Sequence, residues 1–152
     1  MIYTVYDRLF LLSYSNMTVN VKIMRLNETV RLPRKASEYA AGFDLYSNDK
    51  ENIIIKPGEK KFIHTGLIME IPIGYAGFIY TRSGFGCDCV SVIDSDYRGE
   101  VMVCLHNHGT EDFEIRKQYN IAQIVFMKVP DVELVEVTDT NISSGDFGST
   151  GI

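Results

Sequence analysis

The segment from Glu51 to Ile71, ENIIIKPGEKKFIHTGLIMEI, decides the class of fold. Its β-branched and aromatic residues recur with partial alternation on both sides of Pro57-Gly58, a pair that is typical of turns. The segment lacks the apolar repeat at 3.6 residues that an amphipathic helix needs. The pattern therefore predicts two strands separated by a tight turn.

The same composition extends outward from this segment along most of the chain. Five further stretches read as strands: VNVKIMRL at 19–26, YAGFIYTR at 75–82, GEVMVCLHNHG at 99–109, DFEIRKQYNIAQIVFMKV at 112–129 and VELVEV at 132–137. Turn formers separate them, namely Pro72-Ile73-Gly74, His108-Gly109 and Pro130-Asp131. Many short strands with almost no helical periodicity predict an all-β sandwich or barrel. One short helix is expected near Ala36 to Ala41, or just after Ser83.

Length and composition limit the classes of function. With 152 residues and 45% hydrophobic residues, the chain suits one globular domain. A formal charge of −5 argues against a nucleic-acid-binding surface, which needs clustered Lys and Arg. The pairs Cys87-x-Cys89 and His106-x-His108 are too sparse to predict a metal site.

The two ends of the chain differ from the middle. Residues 1–17 contain one apolar run, Leu9 to Leu12, far below the ~18 residues that span a bilayer. We interpret 1–17 as a disordered extension or a non-native start, 18–138 as the β domain, and 139–152 as a mobile C-terminal arm rich in Gly and Ser. No membrane partner is expected. The absence of a clear secretory signal and the odd number of cysteines predict an intracellular protein, in the cytoplasm or the nucleus.

Two short segments combine residues that suit an anionic ligand. In AAGFDLYS, residues 40–47, Asp44 stands at the start of a strand, where a structural role as hydrogen-bond acceptor is the commoner one. In Thr81-Arg82-Ser83-Gly84, a strand ends in a guanidinium, a hydroxyl and a glycine. Together these groups supply the charge and the close-approaching donors that a phosphate needs.

The most informative segment for chemistry is SVIDSDYRGEV, residues 91–101. If the chain is extended there, Asp94 and Asp96 point to one face and repel each other unless one is paired, and Arg98 is the obvious partner for Asp96. Asp94 is then a carboxylate able to deprotonate a water, while Tyr97 offers a flat surface to a sugar or base. A charged β-turn with a core tyrosine explains this segment equally well.

These segments, with IAQ at 121–123 and FGSTG at 147–151, resemble in order the five motifs of the trimeric dUTP pyrophosphatases (dUTPases). The resemblance spans roughly residues 19–151. It implies a distorted jelly-roll β-barrel protomer that assembles as a homotrimer. It also implies hydrolysis of dUTP to dUMP and pyrophosphate, which limits uracil in DNA and supplies dUMP.

The resemblance assigns roles to individual residues. Asp94 would be the general base, and Tyr97 would pack on the deoxyribose and exclude a ribose hydroxyl. The segment from Asp88 through Ser91, Val92 and Ile93 would read uracil through its backbone. The phosphates would be held by Arg82, Ser83 and Gly84, with Gln123 near the α-phosphate. On the C-terminal arm, Phe147 would stack over uracil, and Gly148, Ser149 and Thr150 would approach the triphosphate. Three further residues would support the site: Asp44, Asp96 and Arg98.

Mg²⁺ is the cofactor that the resemblance implies, carried by the triphosphate and its waters with no direct protein ligand. The chain departs from the family pattern at several positions. Only eleven steps separate Ser83 from Asp94, Ser91 replaces a glycine, and Asn120 replaces an arginine. In the fifth motif, Ile142-Ser143 replaces Arg-Gly, and Asp146 replaces a glycine.

These departures keep a second hypothesis open, a catalytically weakened trimer that serves as a protein-interaction module on the same fold. A dCTP deaminase is disfavoured, because it would call for a glutamate near the base, and no such residue stands in a matching motif.

Overall fold

The computed structural model describes residues 18–81, 87–88 and 90–138, with Asp88 described by its backbone alone. These residues form ten strands and no helix. Their bounds are β1 Lys22–Arg25, β2 Phe43–Tyr46, β3 Ile53–Ile55, β4 Lys60–Glu70, β5 Tyr75–Tyr80, β6 Cys87–Asp88, β7 Val90–Ile93, β8 Glu100–Asn107, β9 Phe113–Ile115 and β10 Asn120–Lys128. No helix in the described ranges is long and apolar enough to cross a membrane.

The strands form two four-stranded sheets, ordered β1-β4-β8-β6 and β2-β10-β5-β7, with β3 and β9 as a separate pair. All the strand pairings are antiparallel. The predicted strands β3 and β4 do not pair with each other, because each pairs with a strand from the second half of the chain. The architecture is a jelly roll, which confirms the all-β prediction.

The core lies between the sheets and is built by alternation along the strands. In β8, Val101, Val103 and Leu105 are buried while their neighbours are partly exposed. Buried Leu and Ile side chains from both four-stranded sheets join them in one hydrophobic cluster. Each such side chain stabilises the fold by about 1.5–3 kcal/mol. The period of two in the sequence therefore selects the face that packs inward.

Two predicted turns are confirmed. The Glu59 amide donates to the Lys56 carbonyl over 2.9 Å, and Gly58 between them has φ 74°. This is the positive φ that a type II turn requires after proline, and glycine supplies it without strain. Gly74 has φ 84° in the equivalent turn after Pro72.

Two of the segments named from sequence have a different local structure. Residues 36–41 form a turn, closed by the Ala40 amide on the Ser37 carbonyl at 3.2 Å, and not a helix. The stretch VELVEV at 132–137 has strand composition but forms no strand, and all six of its residues are exposed in the single chain. The alternative helix after Ser83 lies outside the described residues.

One irregularity in β4 bears on the site. The register of β4 against β8 shifts between His64 and Ile68, which marks a bulge. Gly66 lies inside the bulge with φ 70°. A Cβ there would lie 2.7 Å from the side-chain nitrogen Nδ2 of Asn48 and would collide with Val30. Glycine is therefore required at this position both for its backbone angle and for space.

Candidate active site

The centre of the second sheet brings two sequence-predicted residues together. Strand β10 lies between β2 and β5, so that Gln123 is directly opposite Asp44 on one side and Tyr80 on the other. Opposite residues of antiparallel strands project to the same face, and all three side chains are half-buried. Thr81 follows Tyr80 directly, so this row leads to the start of the segment that carries Arg82.

Gln123 has its amide packed against the backbone of Gly42. A Cβ on Gly42 would lie 2.7 Å from Gln123 Oε1 and 3.2 Å from the Ile124 carbonyl oxygen. Two residues after Gly42, the backbone of Asp44 is held in place, because its amide donates to the Arg34 carbonyl over 2.8 Å. The small residues before Asp44 thus make space for the Gln123 side chain.

Asp94 stands immediately after β7, which is the last strand of its sheet in the described part of the chain. The segment is a turn, with the Tyr97 amide donating to the Asp94 carbonyl over 3.2 Å, so the extended conformation considered from sequence is wrong. The exposed Asp94 borders an open groove of about 400 Å³, lined also by Ile73–Ala76 and Val129–Asp131. This groove gives the carboxylate access to water.

Tyr97 is 42% exposed and is therefore not the core tyrosine of the alternative interpretation. Its hydroxyl donates to the Glu100 carbonyl over 2.9 Å. Its ring lies against Gly99, where a Cβ would approach the ring carbon Cζ to 2.7 Å. Because the hydroxyl and one part of the ring are held, the exposed remainder presents a fixed flat surface.

The predicted pair of Asp96 with Arg98 does not form among the described residues. Arg98 instead donates to the carbonyl oxygens of Ser95 at 2.7 Å and Tyr97 at 2.8 Å. In a turn, these carbonyls point outward and lie closer to the guanidinium than a side chain two residues away. Arg98 therefore stabilises the turn that carries Asp94 and Tyr97, and Asp96 is exposed to solvent.

Strand β7 supplies the residues expected to meet the base. Ser91 is half-buried opposite Ile79, Val92 is exposed opposite Phe78, and Ile93 is buried. Ser91 has an ordinary strand backbone, since Gln118 is the only non-glycine residue with positive φ in the described ranges. The predicted residues Arg82, Ser83, Gly84, Phe147, Gly148, Ser149 and Thr150, and the side chain of Asp88, lie outside what the structure describes.

Sequence reasoning missed a polar network next to Tyr97. Glu100 accepts hydrogen bonds from His64 Nδ1 and from the Gly66 amide, both at 2.8 Å. The hydrogen bond that His64 donates to Glu100 raises the pKa of His64 above its usual value, and burial raises the pKa of the adjacent Asp49. The contact between His64 and Glu100 joins residues 36 positions apart, so no local motif could have revealed it.

The fold and the site define a jelly-roll protein with an exposed carboxylate and tyrosine after an edge strand. The sequence profile of the family described as dUTPase matches residues 28–151. This chain belongs to the dUTPase family.

Individual relatives agree with this family membership. The deoxyuridine 5'-triphosphate nucleotidohydrolase of Nautilia profundicola is 46% identical over 143 residues, covering 88% of this chain and 99% of that protein. The Fowlpox virus enzyme of the same name is 39% identical over 143 residues, covering 87% and 97%. Among solved structures, Staphylococcus bacteriophage 80alpha dUTPase with dUpNHpp matches with TM-score 0.79 and 24% identity, covering 89% of this chain and all of that one. This last likeness shows the shared fold.

Proposed function

We propose that this chain hydrolyses dUTP to dUMP and pyrophosphate. The observation that carries the proposal is the 46% identity to the Nautilia profundicola protein named deoxyuridine 5'-triphosphate nucleotidohydrolase, which covers 88% of this chain and 99% of that protein. The site is compatible with this activity, because Asp94 and Tyr97 are both accessible from solvent on one turn.

Asp94 is the general base of the proposed reaction. Its carboxylate takes a proton from water while the water oxygen attacks the α-phosphorus in line with the bond to the β-phosphate. That P–O bond breaks, the bridging oxygen leaves with pyrophosphate, and Asp94 later releases its proton to solvent. The exposure of Asp94 in the groove supports this role, because a water and the α-phosphate must both reach the space beside the base.

The nucleoside is recognised by β7 and Tyr97. In the described part of the chain only β5 pairs with β7, so backbone groups on its outer edge are available to uracil. Asp88, Ser91, Val92 and Ile93 form this approach to the base. Tyr97 packs on the deoxyribose and leaves no space for a ribose 2′-hydroxyl.

The triphosphate is bound at the row that contains Gln123. Gln123 contacts the α-phosphate, Arg82, Ser83 and Gly84 contact the phosphates, and Asp44 orders waters around the ion. No group of three metal-ligating side chains occurs within the described ranges, which is compatible with Mg²⁺ held by phosphates and water. Bound there, Mg²⁺ neutralises charge on the phosphates; phage phi11 dUTPase is a relative whose structure shows a structural Mg(II) ion.

Two further arginines place positive charge near this row. Arg34 Nε donates to the Tyr46 hydroxyl over 3.2 Å, and the Arg31 guanidinium lies 3.7 Å from the centre of the Tyr46 ring. Tyr46 is opposite Asn120, where the sequence lacks the expected arginine. The backbones of Arg34 and Asp44 also form an isolated antiparallel β-bridge. These cations partly offset that loss.

The active assembly is a homotrimer in this proposal, with the arm at 139–152 closing a site that a neighbouring subunit helps to form. Large apolar side chains on the outer face of β7 and in the segment after β10 support this assembly. Val90 is 77% exposed and Leu134 is 93% exposed in the single chain. Partner subunits that cover such residues remove apolar area from water. Phe147, Gly148, Ser149 and Thr150 lie on the closing arm.

The test is release of pyrophosphate from dUTP with Mg²⁺, compared with dTTP, dCTP and UTP. We expect turnover of dUTP alone. Asp94→Asn should lower kcat by about 10²–10⁴-fold, the usual contribution of a general base. The matched control is Asp112→Asn, at an exposed aspartate in the loop before β9. A folded trimer that releases pyrophosphate from none of the nucleotides would refute the enzyme and favour the interaction module.

A further inference from the structure

We propose that Glu100 is a positioning residue for Tyr97 and thereby sets the preference for deoxyribose over ribose. The inference rests on the proposed dUTP hydrolysis. Glu100 is the first residue of β8 and directly follows the turn that carries Asp94 and Tyr97. It contacts Tyr97 through its backbone carbonyl and the neighbouring strand β4 through its side chain.

The Glu100 carboxylate is fixed at both oxygens. Oε1 accepts the Gly66 amide and Oε2 accepts His64 Nδ1, each at 2.8 Å. The Glu100 side chain is 20% exposed, so these bonds are partly shielded from water. They span the bulge of β4, where the regular ladder between β4 and β8 is interrupted. The carboxylate therefore replaces ladder bonds that the bulge removes.

The Glu100 backbone holds Tyr97. The Glu100 carbonyl accepts the Tyr97 hydroxyl over 2.9 Å, and the Tyr97 amide donates to Asp94. A continuous set of hydrogen bonds thus runs from His64 through Glu100 and Tyr97 to Asp94. Fixing the carboxylate fixes the start of β8, and with it the acceptor that orients the ring.

Orientation of the ring matters because its selectivity is steric. Tyr97 rejects a 2′-hydroxyl by occupying the space that the hydroxyl needs, so a small displacement admits ribose. A misplacement of about 1 Å can change rates by about 10²-fold. Loss of the Glu100 carboxylate should therefore lower the ratio of kcat/KM for dUTP to that for UTP, while the protein still folds.

Most of the pairing of β4 with β8 lies outside the contacts of the Glu100 carboxylate. The ladder continues from Lys60 to His64, and the Thr65 hydroxyl donates to the Val101 carbonyl. A variant without the carboxylate therefore retains the core contacts of both strands. Glu100→Gln keeps an acceptor for the Gly66 amide and serves as the milder variant.

The experiment compares kcat/KM for dUTP and UTP in wild type, Glu100→Ala, Glu100→Gln and Tyr97→Phe. The matched control is Glu59→Ala, which removes a carboxylate that pairs with Lys61 of β4 at 3.3 Å. We expect the ratio of dUTP to UTP to fall on the order of tenfold in Glu100→Ala, less in Glu100→Gln, and not in Glu59→Ala. The double variant of Tyr97→Phe with Glu100→Ala should be non-additive, because Glu100→Ala acts by displacing the backbone carbonyl that accepts the Tyr97 hydroxyl, and Tyr97→Phe removes that hydroxyl.

The outcomes separate the two proposals. Wild-type turnover of dUTP with an unchanged sugar ratio in Glu100→Ala, or an equal loss on both nucleotides, would overturn the positioning role alone. If Glu100→Ala does not fold, Glu100→Gln and the additivity with Tyr97→Phe decide the question. Absence of wild-type turnover would overturn the proposed function, and the inference with it.

Discussion

The Tyr97 ring lies directly against the backbone of Gly99, where a Cβ would fall 2.5 Å from the Tyr97 hydroxyl oxygen. Gly99 thus leaves room for the Tyr97 ring in its present position. It does not supply an unusual backbone angle, since it is not among the described glycines with positive φ. The atoms that would collide are at the end of a surface side chain, which can move. Substitution at Gly99 should therefore displace Tyr97 without disturbing the core.

Gly99→Ala should raise the KM for dUTP and increase turnover of UTP, since the displaced ring no longer fills the space beside the sugar. A change on the order of tenfold in the ratio of kcat/KM is expected. Steady-state kinetics on both nucleotides measure it, with thermal unfolding as the check on folding. An unchanged ratio would show that Tyr97 does not contact the sugar.

Gly42→Ala should act on the phosphates instead of the sugar. The new methyl group would lie 2.7 Å from Gln123 Oε1, so the amide must rotate away from the row that includes Asp44. We expect kcat for dUTP to fall by about tenfold to a hundredfold, with the dUTP to UTP ratio preserved. Loss of that ratio in Gly42→Ala would contradict the separation of the two subsites.

The pair of His64 with Glu100 should make stability depend on pH. Because the folded-state pKa of His64 is raised, its stabilising contribution is complete below the unfolded value near 6.5 and is lost as pH rises through the folded value. The stability difference between wild type and His64→Gln should thus shrink as the pH rises above about 6.5. Urea unfolding across this range measures it. Lys22→Gln, which removes an exposed ion pair that contains no histidine, should show a constant difference.

Asn107 should be the most costly polar residue to remove from the core. It is 2% exposed, and its amide nitrogen donates to the carbonyls of Ile55 and Glu111, both at 2.8 Å. Asn107→Ala leaves buried acceptors unsatisfied and should lower the free energy of unfolding by about 1–3 kcal/mol. The exposed Asn52→Ala is the control, with less than about 0.5 kcal/mol expected. Equal losses would contradict this account.

Assembly should depend on the segment after β10. Val132 and Leu134 are 67% and 93% exposed in the single chain, and each buried Leu would contribute about 1.5–3 kcal/mol. The double variant Val132→Ser with Leu134→Ser should shift a trimer toward monomers in light scattering after size exclusion. Glu133→Gln with Glu136→Gln changes neighbouring charges and should leave the trimer intact. A monomeric wild type would refute the assembly.

The sequence predicted the fold because strand alternation and turn chemistry are local. The turn at Gly58 and the strand β8 follow directly from residue types a few positions apart. The strand prediction for 132–137 was wrong for the opposite reason: composition is local, whereas a strand needs a pairing partner, and this exposed segment pairs with none of the described strands.

The site was predictable only in part. Asp44 and Gln123 were named from separate motifs, and their direct opposition follows from the sheet order, which composition does not encode. The charge on Asp96 suggested a pair with Arg98, yet the turn offers Arg98 two carbonyls instead. Glu100 escaped attention because its partners His64 and Gly66 are more than thirty residues away.

The outer edge of β7, which pairs with no strand in the described part of the chain, has a consequence for inhibition. If uracil is read by main-chain groups of this strand, no side-chain substitution deletes the donors and acceptors that a uracil mimic would use. Resistance to such a compound would need proline within Val90–Ile93, which removes an amide, or a displacement of the strand, which also harms binding of dUTP. A base-mimicking inhibitor should therefore meet a higher barrier to resistance than one directed at Tyr97.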